Sequence, residues 1–204
     1  MHTSTRTLAA SLLALALQAG LPAAHAAHAS AQAPAASTRH ATFDGDYVTT
    51  RDGVRLYVKD WGSGRPVILL HGWPLNADSW DAQAMALAEA GFRAIAYDRR
   101  GFGRSGQPWS GYDYDTLSDD LADVMKETGA DSDATIVGFS MGGGEVARYM
   151  SRHNGQGVIA AGLVSSVVPY MRETNDNPKG VPDAKIEQIK DGIKKDRPHF
   201  FRHT

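Results

Sequence analysis

The chain has 204 residues, a formal charge of -2, 42% hydrophobic residues and 22% charged ones. Those values describe an ordinary folded domain and exclude a disordered or fibrous chain. The near-neutral balance, without any basic block, gives no footing for nucleic acid. The absence of cysteine excludes disulfides, thiolate chemistry and Cys-based zinc sites.

The first 26 residues read as an export signal. Arg6 supplies a short positive region, Leu8 to Ala19 is an apolar run, and Ala24-His25-Ala26 fits a small-x-small cleavage site before Ala27. The run is too short to span a bilayer as a helix, so no membrane span is expected after cleavage, and the location implied is periplasmic or secreted. An uncleaved anchor or a wrongly chosen start codon is the alternative. Residues 27–42 are rich in Ala, Ser and Pro and read as a flexible leader.

Two alternating runs flank Asp52-Gly53 in "DYVTTRDGVRLYVKDWG", which predicts a hairpin. "RPVILLHGWP" is a continuous apolar run of the kind a strand buried on both faces shows. A helix is expected from Ser79 to Ala90, stopped by Gly91. "FRAIAYD" is a second buried strand, and Asp115 to Thr128 an amphipathic helix with Leu117, Leu121, Val124 and Met125 on one face. "ATIVGF", "MGGGEVARYMSRH" and "VIAAGLVSSVV" follow as strand, helix and strand. This alternation predicts an α/β protein with a mostly parallel sheet covered by helices. From Pro169 onward the chain is polar, with helical spacing at Ile186, Ile189 and Ile193 and no visible strand.

The chemistry concentrates in "VGFSMGGGE". Ser140 stands between Gly138 and Gly142, at the junction of a strand and a helix. Such a setting holds a strained, exposed nucleophilic serine, and the flanking glycines let backbone close around it. Ser140 is therefore expected at positive φ, facing the loop 71–74. The competing reading is a serine helix cap on a glycine-rich turn. Acyl transfer also needs oxyanion donors. The Met141 N–H, at a helix start, is one candidate. The second comes from "HGWP", where Pro74 has no N–H and Trp73 is the better choice. His71 is expected to orient that loop rather than act as base, and Asp98, Arg99 and Arg100 to brace loops by ion pairing.

Taken together, "VILLHGWPLNADSWDAQ", "AYDRRGFGRSGQPWSGYDYDT", "VGFSMGGGEVARY" and "DRPHFF" make residues 43–202 resemble the α/β-hydrolase fold. More narrowly they resemble the cofactor-free (non-haem) haloperoxidases, the chloroperoxidase- and bromoperoxidase-type esterases. The resemblance implies a Ser-His-Asp enzyme that cleaves esters. It also implies perhydrolysis, in which a short carboxylic acid and hydrogen peroxide give a peracid that oxidises halide. No haem, metal or other cofactor is implied. "HGWP" and "DRRGFGRS" also resemble segments of epoxide hydrolases and haloalkane dehalogenases, but those use Asp as nucleophile and position 140 is Ser.

The family order is Ser, then Asp, then His, on loops after later strands. After Ser140 the acids include Asp176, Asp183, Asp191 and Asp196, and the histidines are His153, His199 and His203. His153 is expected to meet the carbonyls at the end of its helix. The others fall in a strandless tail. The expectation is therefore an incomplete fold: a core over 43–168 and the beginning of a helical cap over 169–204, truncated and inactive as written. The alternatives are a non-catalytic binding protein on a partial fold, or a short active hydrolase with Asp196 and His199 or His203 as relocated partners.

Overall fold

The computed structural model describes residues 45–168 and 170–203. The expected signal peptide and leader lie outside the described residues. Six strands form one sheet in the order β1-β2-β4-β3-β5-β6. They are β1 (Tyr47–Thr49), β2 (Arg55–Trp61), β3 (Pro66–Leu70), β4 (Arg93–Tyr97), β5 (Ala134–Phe139) and β6 (Val158–Val164). β1 and β2 are the expected hairpin, and Gly53 takes φ +85 in its turn. β2 joins β4 antiparallel, while β4, β3, β5 and β6 run parallel.

Helices cover the sheet on both faces, which is why β3 and β4 are continuously apolar. Ile68, Leu70, Ile95, Tyr97 and Ile136 face α2 (Tyr114–Glu127) and α3 (Met141–Arg152), where Leu121, Val124, Met125, Val146 and Tyr149 meet them. Val67, Leu69, Ala94 and Ala96 point the other way, toward Ala84 of α1 (Asp81–Glu89). The Asp113 carboxylate caps α2 by accepting from the Thr116 N–H at 2.9 Å.

The helix expected from Ser79 begins differently. The Asn76 side chain accepts from the Asp78 N–H and opens a short 3-10 turn, Ala77–Trp80, before α1 starts at Asp81. Such local side-chain bonds compete with α-helix geometry, and a helical composition does not reveal them. Residues 170–182 form an irregular segment with two isolated bridges, Arg172 to Val181 and Thr174 to Asn177. α4 (Asp183–His203) follows, broken at Asp196, where φ is -160, just before Pro198.

β6 is an edge strand among the described residues. Ile159 and Leu163, on one face of it, are 55% and 51% exposed. The strand carries no charge and no proline, so nothing within it blunts edge-to-edge pairing. Replacing both residues by Lys is expected to suppress concentration-dependent self-association of the 204-residue chain. Sedimentation velocity over a concentration series checks this. An unchanged distribution would show that the edge does not drive association.

Candidate active site

β5 runs straight into Ser140, and α3 begins at the next residue. Ser140 takes φ 51 and ψ -114, a strained backbone for a residue with a side chain. The glycines explain how the turn closes. A Cβ at Gly138 would stand 2.3 Å from the Gly142 carbonyl oxygen, and one at Gly142 would stand 2.4 Å from the Leu70 carbonyl oxygen. Neither distance is one that a real side chain tolerates. Gly143 and Gly144 weaken a helix by about 1 kcal/mol each relative to Ala. They sit in α3 because a Cβ would meet Ser166 Oγ at 1.9 Å in the first case and the Tyr114 ring at 2.5 Å in the second.

The Ser140 side chain does not cap α3. That removes the ordinary helix-cap reading. Its backbone is held on both sides instead: its N–H donates to the Val164 carbonyl at 3.0 Å, and its carbonyl accepts from Gly143 at 3.0 Å and Val167 at 3.2 Å. The loop after β3 lies against it. A Cβ at Gly72 would come within 3.1 Å of Ser140 Cβ and 2.9 Å of the Phe139 ring. Trp73 follows Gly72, and its ring packs on Phe201 of α4 with centroids 5.4 Å apart. Met141, the first residue of α3, has its N–H at the positive end of the helix.

His71 is buried, 1% exposed, and engaged on both nitrogens. The Arg99 N–H donates to its Nε2 at 3.1 Å, so the ring proton sits on Nδ1 and is donated to the Gly72 carbonyl at 2.9 Å. Burial, with the nearby Arg99 charge, lowers its pKa to about 4, and the ring stays neutral. It is a loop brace.

Asp98, Arg99 and Arg100 also brace, as expected. Asp98 accepts from the Ala77 and Arg104 N–H groups and pairs with the Arg104 side chain at 2.8 Å. Arg100 is clamped by Asp120 at 2.6 Å and Asp52 at 2.9 Å. Arg99 meets a residue that sequence reasoning missed. Glu145 of α3 is fully buried and accepts from Arg99 Nε at 2.7 Å. Its other oxygen accepts from the Tyr97 hydroxyl. Burial, with the Glu145 charge beside it, pushes the Tyr97 hydroxyl well above its ordinary range, so it remains a donor. A signal was present: Glu145 falls on the helix face of Val146 and Tyr149, where an acid requires a partner.

The remaining histidines stand elsewhere. His153 does not serve the carbonyls at the end of α3. Its Nε2 lies 2.9 Å from Asp119 Oδ1 on α2, and its ring stacks on Tyr149. The packing of α2 beside α3 brings that carboxylate against the imidazole. His199 and His203 are exposed on α4 with ring centroids 4.4 Å apart. Asp196 accepts from the backbone N–H of His199 rather than from its ring, so it acts there as a helix cap. Asp183 pairs with Arg172, and Asp176 accepts from Thr174. No hydrogen bond joins Ser140 to a histidine among the described residues.

The model of the alpha/beta hydrolase fold matches residues 65–193. A non-heme chloroperoxidase of Kitasatospora aureofaciens is 48% identical over 156 residues, covering 76% of this chain and 56% of that protein. A bifunctional esterase/perhydrolase of Acinetobacter calcoaceticus is 46% identical over 157 residues, with the same coverage. Among solved structures, a bromoperoxidase from Bacillus anthracis superposes with a TM-score of 0.70 at 45% identity, covering 76% of this chain and 56% of that one. An esterase from Exiguobacterium antarcticum reaches a TM-score of 0.74 at 34% identity, covering 78% and 59%. The chain thus spans a little over half the length of the relatives it matches. From the matched model, the sheet order and these relatives, the chain belongs to the alpha/beta hydrolase fold family.

Proposed function

We propose that this chain carries the nucleophile half of a serine esterase and perhydrolase of the non-haem haloperoxidase kind. The observation that carries the reading is Ser140, held at φ 51 between β5 and α3 with its side chain free of any capping bond. In the reaction proposed, Ser140 Oγ attacks the carbonyl of an ester or short carboxylic acid and loses its proton to a base, which returns it to the departing oxygen as the carbonyl C–O bond breaks and alcohol (from the ester) or water (from the acid) leaves. The N–H groups of Met141 and Trp73 receive the negative charge that develops on the carbonyl oxygen. The acyl-serine is then released by water, giving the acid, or by hydrogen peroxide, giving the peracid that oxidises halide.

Residues 170–203 act as the start of a cap over this site. A cavity of about 610 Å³ supports that role, since it lies between Trp73, Pro74 and the Ile189, Phe200 and Phe201 side of α4. Residues 1–26 serve as the export signal, so that the mature chain works in the periplasm or outside the cell. No histidine is set on Ser140 as a base among the described residues: both ring nitrogens of His71 are engaged, the His153 ring lies against Asp119 and Tyr149, and His199 and His203 are exposed on α4. The 204-residue chain by itself therefore does not turn over.

The test joins the chain to a family-like C-terminal segment carrying its Asp and His. Bromide oxidation that requires acetate and peroxide together is expected from that protein and not from its Ser140→Ala variant. Oxidation that persists in Ser140→Ala, or that needs no carboxylic acid, would refute the perhydrolase reading.

A further inference from the structure

The two proposed oxyanion donors lie on different segments, Trp73 after β3 and Met141 at the head of α3. An anion site works only if both N–H groups are held at one fixed separation before charge develops. One buried side chain, that of Arg99, hydrogen-bonds to both segments. Arg99 Nη2 donates to the His71 carbonyl at 2.9 Å, two residues before Trp73. Arg99 Nε donates to Glu145 Oε2 at 2.7 Å, one helical turn after Met141. Arg99 Nη1 also lies 4.0 Å from Met141 Sδ, and its backbone N–H holds the His71 ring. Tyr97 fixes the other Glu145 oxygen, and the Tyr114 hydroxyl donates to the Met141 carbonyl at 3.3 Å.

The arrangement asks for a reason. The Arg99 and Glu145 side chains are 1% and 0% exposed. A buried ion pair is often no better for stability than an apolar pair of the same volume. A neutral filling could pack this space, but only a planar fork with several fixed donors can grip the β3 loop and α3 together.

We infer that Arg99 is a positioning residue, whose guanidinium locks the 71–74 loop to the start of α3 and so sets the spacing of the Trp73 and Met141 N–H groups for a carboxylate-derived oxyanion. The inference rests on the oxyanion roles proposed above. Arg99 touches no reacting atom. Glu145 and Tyr97 keep its fork in plane.

The test uses the 204-residue chain, labelled with 15N and titrated with acetate, which carries the carboxylate oxygens such a site would hold. In the wild type the Trp73 and Met141 amide resonances are expected to move together along one saturation curve. Arg99→Lys keeps the charge but has no fork to bridge both segments. It is expected to weaken acetate binding at least tenfold and to separate the two curves. A folded Arg99→Lys chain that binds acetate like the wild type, with both amides still moving together, overturns the inference and leaves the oxyanion assignment standing. If neither amide of the wild type responds, the oxyanion assignment itself fails and the inference with it. Should Arg99→Lys not fold, Tyr97→Phe decides. It frees one side of Glu145 and is expected to weaken binding several-fold, and unchanged binding there overturns the inference.

Discussion

Glu145→Ala is expected to destabilise the fold by about 3–5 kcal/mol, the usual cost of stranding one partner of a buried ion pair. Arg99 is then left charged and 1% exposed, with no acid to offset its desolvation. Burial opposes that charge already, and Glu145 is the first partner that keeps its pKa raised. Tyr97 also loses its acceptor in the interior, at 1% exposure. Set against a typical domain stability of about 5–15 kcal/mol, this loss brings the chain close to unfolding. The double variant Glu145→Ala with Arg99→Met removes the stranded charge and should recover part of the loss. Recovery stays incomplete, because the His71 carbonyl then lacks its donor. Urea unfolding midpoints compare the three proteins. A single variant within 1 kcal/mol of the wild type would show that Glu145 is not the partner of Arg99 in solution.

His71 should make the fold acid-labile. Its pKa is held near 4 by burial, whereas an imidazole in the unfolded chain titrates near 6.5. Between those values the unfolded state binds more protons than the folded one. Stability is therefore fully present above about pH 6.5 and is lost as pH falls toward 4, by about 3 kcal/mol. Asp120 works in the opposite sense in part of this range. Burial raises its pKa from 3.8 to about 6, so its contribution improves as pH falls between those values. The difference between the wild type and His71→Gln isolates the imidazole. The slope of stability against pH from 6.5 to 4 should flatten in the variant. Parallel slopes would mean that His71 titrates normally, with its ring in contact with water.

Much of this fold can be read without coordinates because the relevant forces are local. Pro66–Leu70 is apolar at every position since both faces of β3 are covered, with Val67 and Leu69 on one side and Ile68 and Leu70 on the other. Gly142, Gly143 and Gly144 stand in a helix against their propensity, and the carbonyl, hydroxyl and ring beside them account for it. Pairings across long sequence separations are different. Arg99 and Glu145 lie 46 residues apart, and three consecutive charged residues, Asp98 to Arg100, turn toward three different partners. Composition does not tell which oppositely charged partner each one meets. The pairing of His153 with Asp119 was hidden in the same way, because it depends on how α2 lies beside α3. The break in α4 is half legible: Pro198 announces it, but the displaced residue is Asp196.

The separation of nucleophile from base is tested most directly by p-nitrophenyl acetate hydrolysis, measured on the 204-residue chain, on its Ser140→Ala variant, and on the chain joined to a family-like C-terminal segment with its Asp and His. The chain alone is expected to match Ser140→Ala, and the joined protein to exceed both by about 100-fold or more, the usual contribution of a positioned general base. Ser140-dependent turnover by the 204-residue chain alone would contradict the account, because a base would then have to reach Ser140 from within these residues.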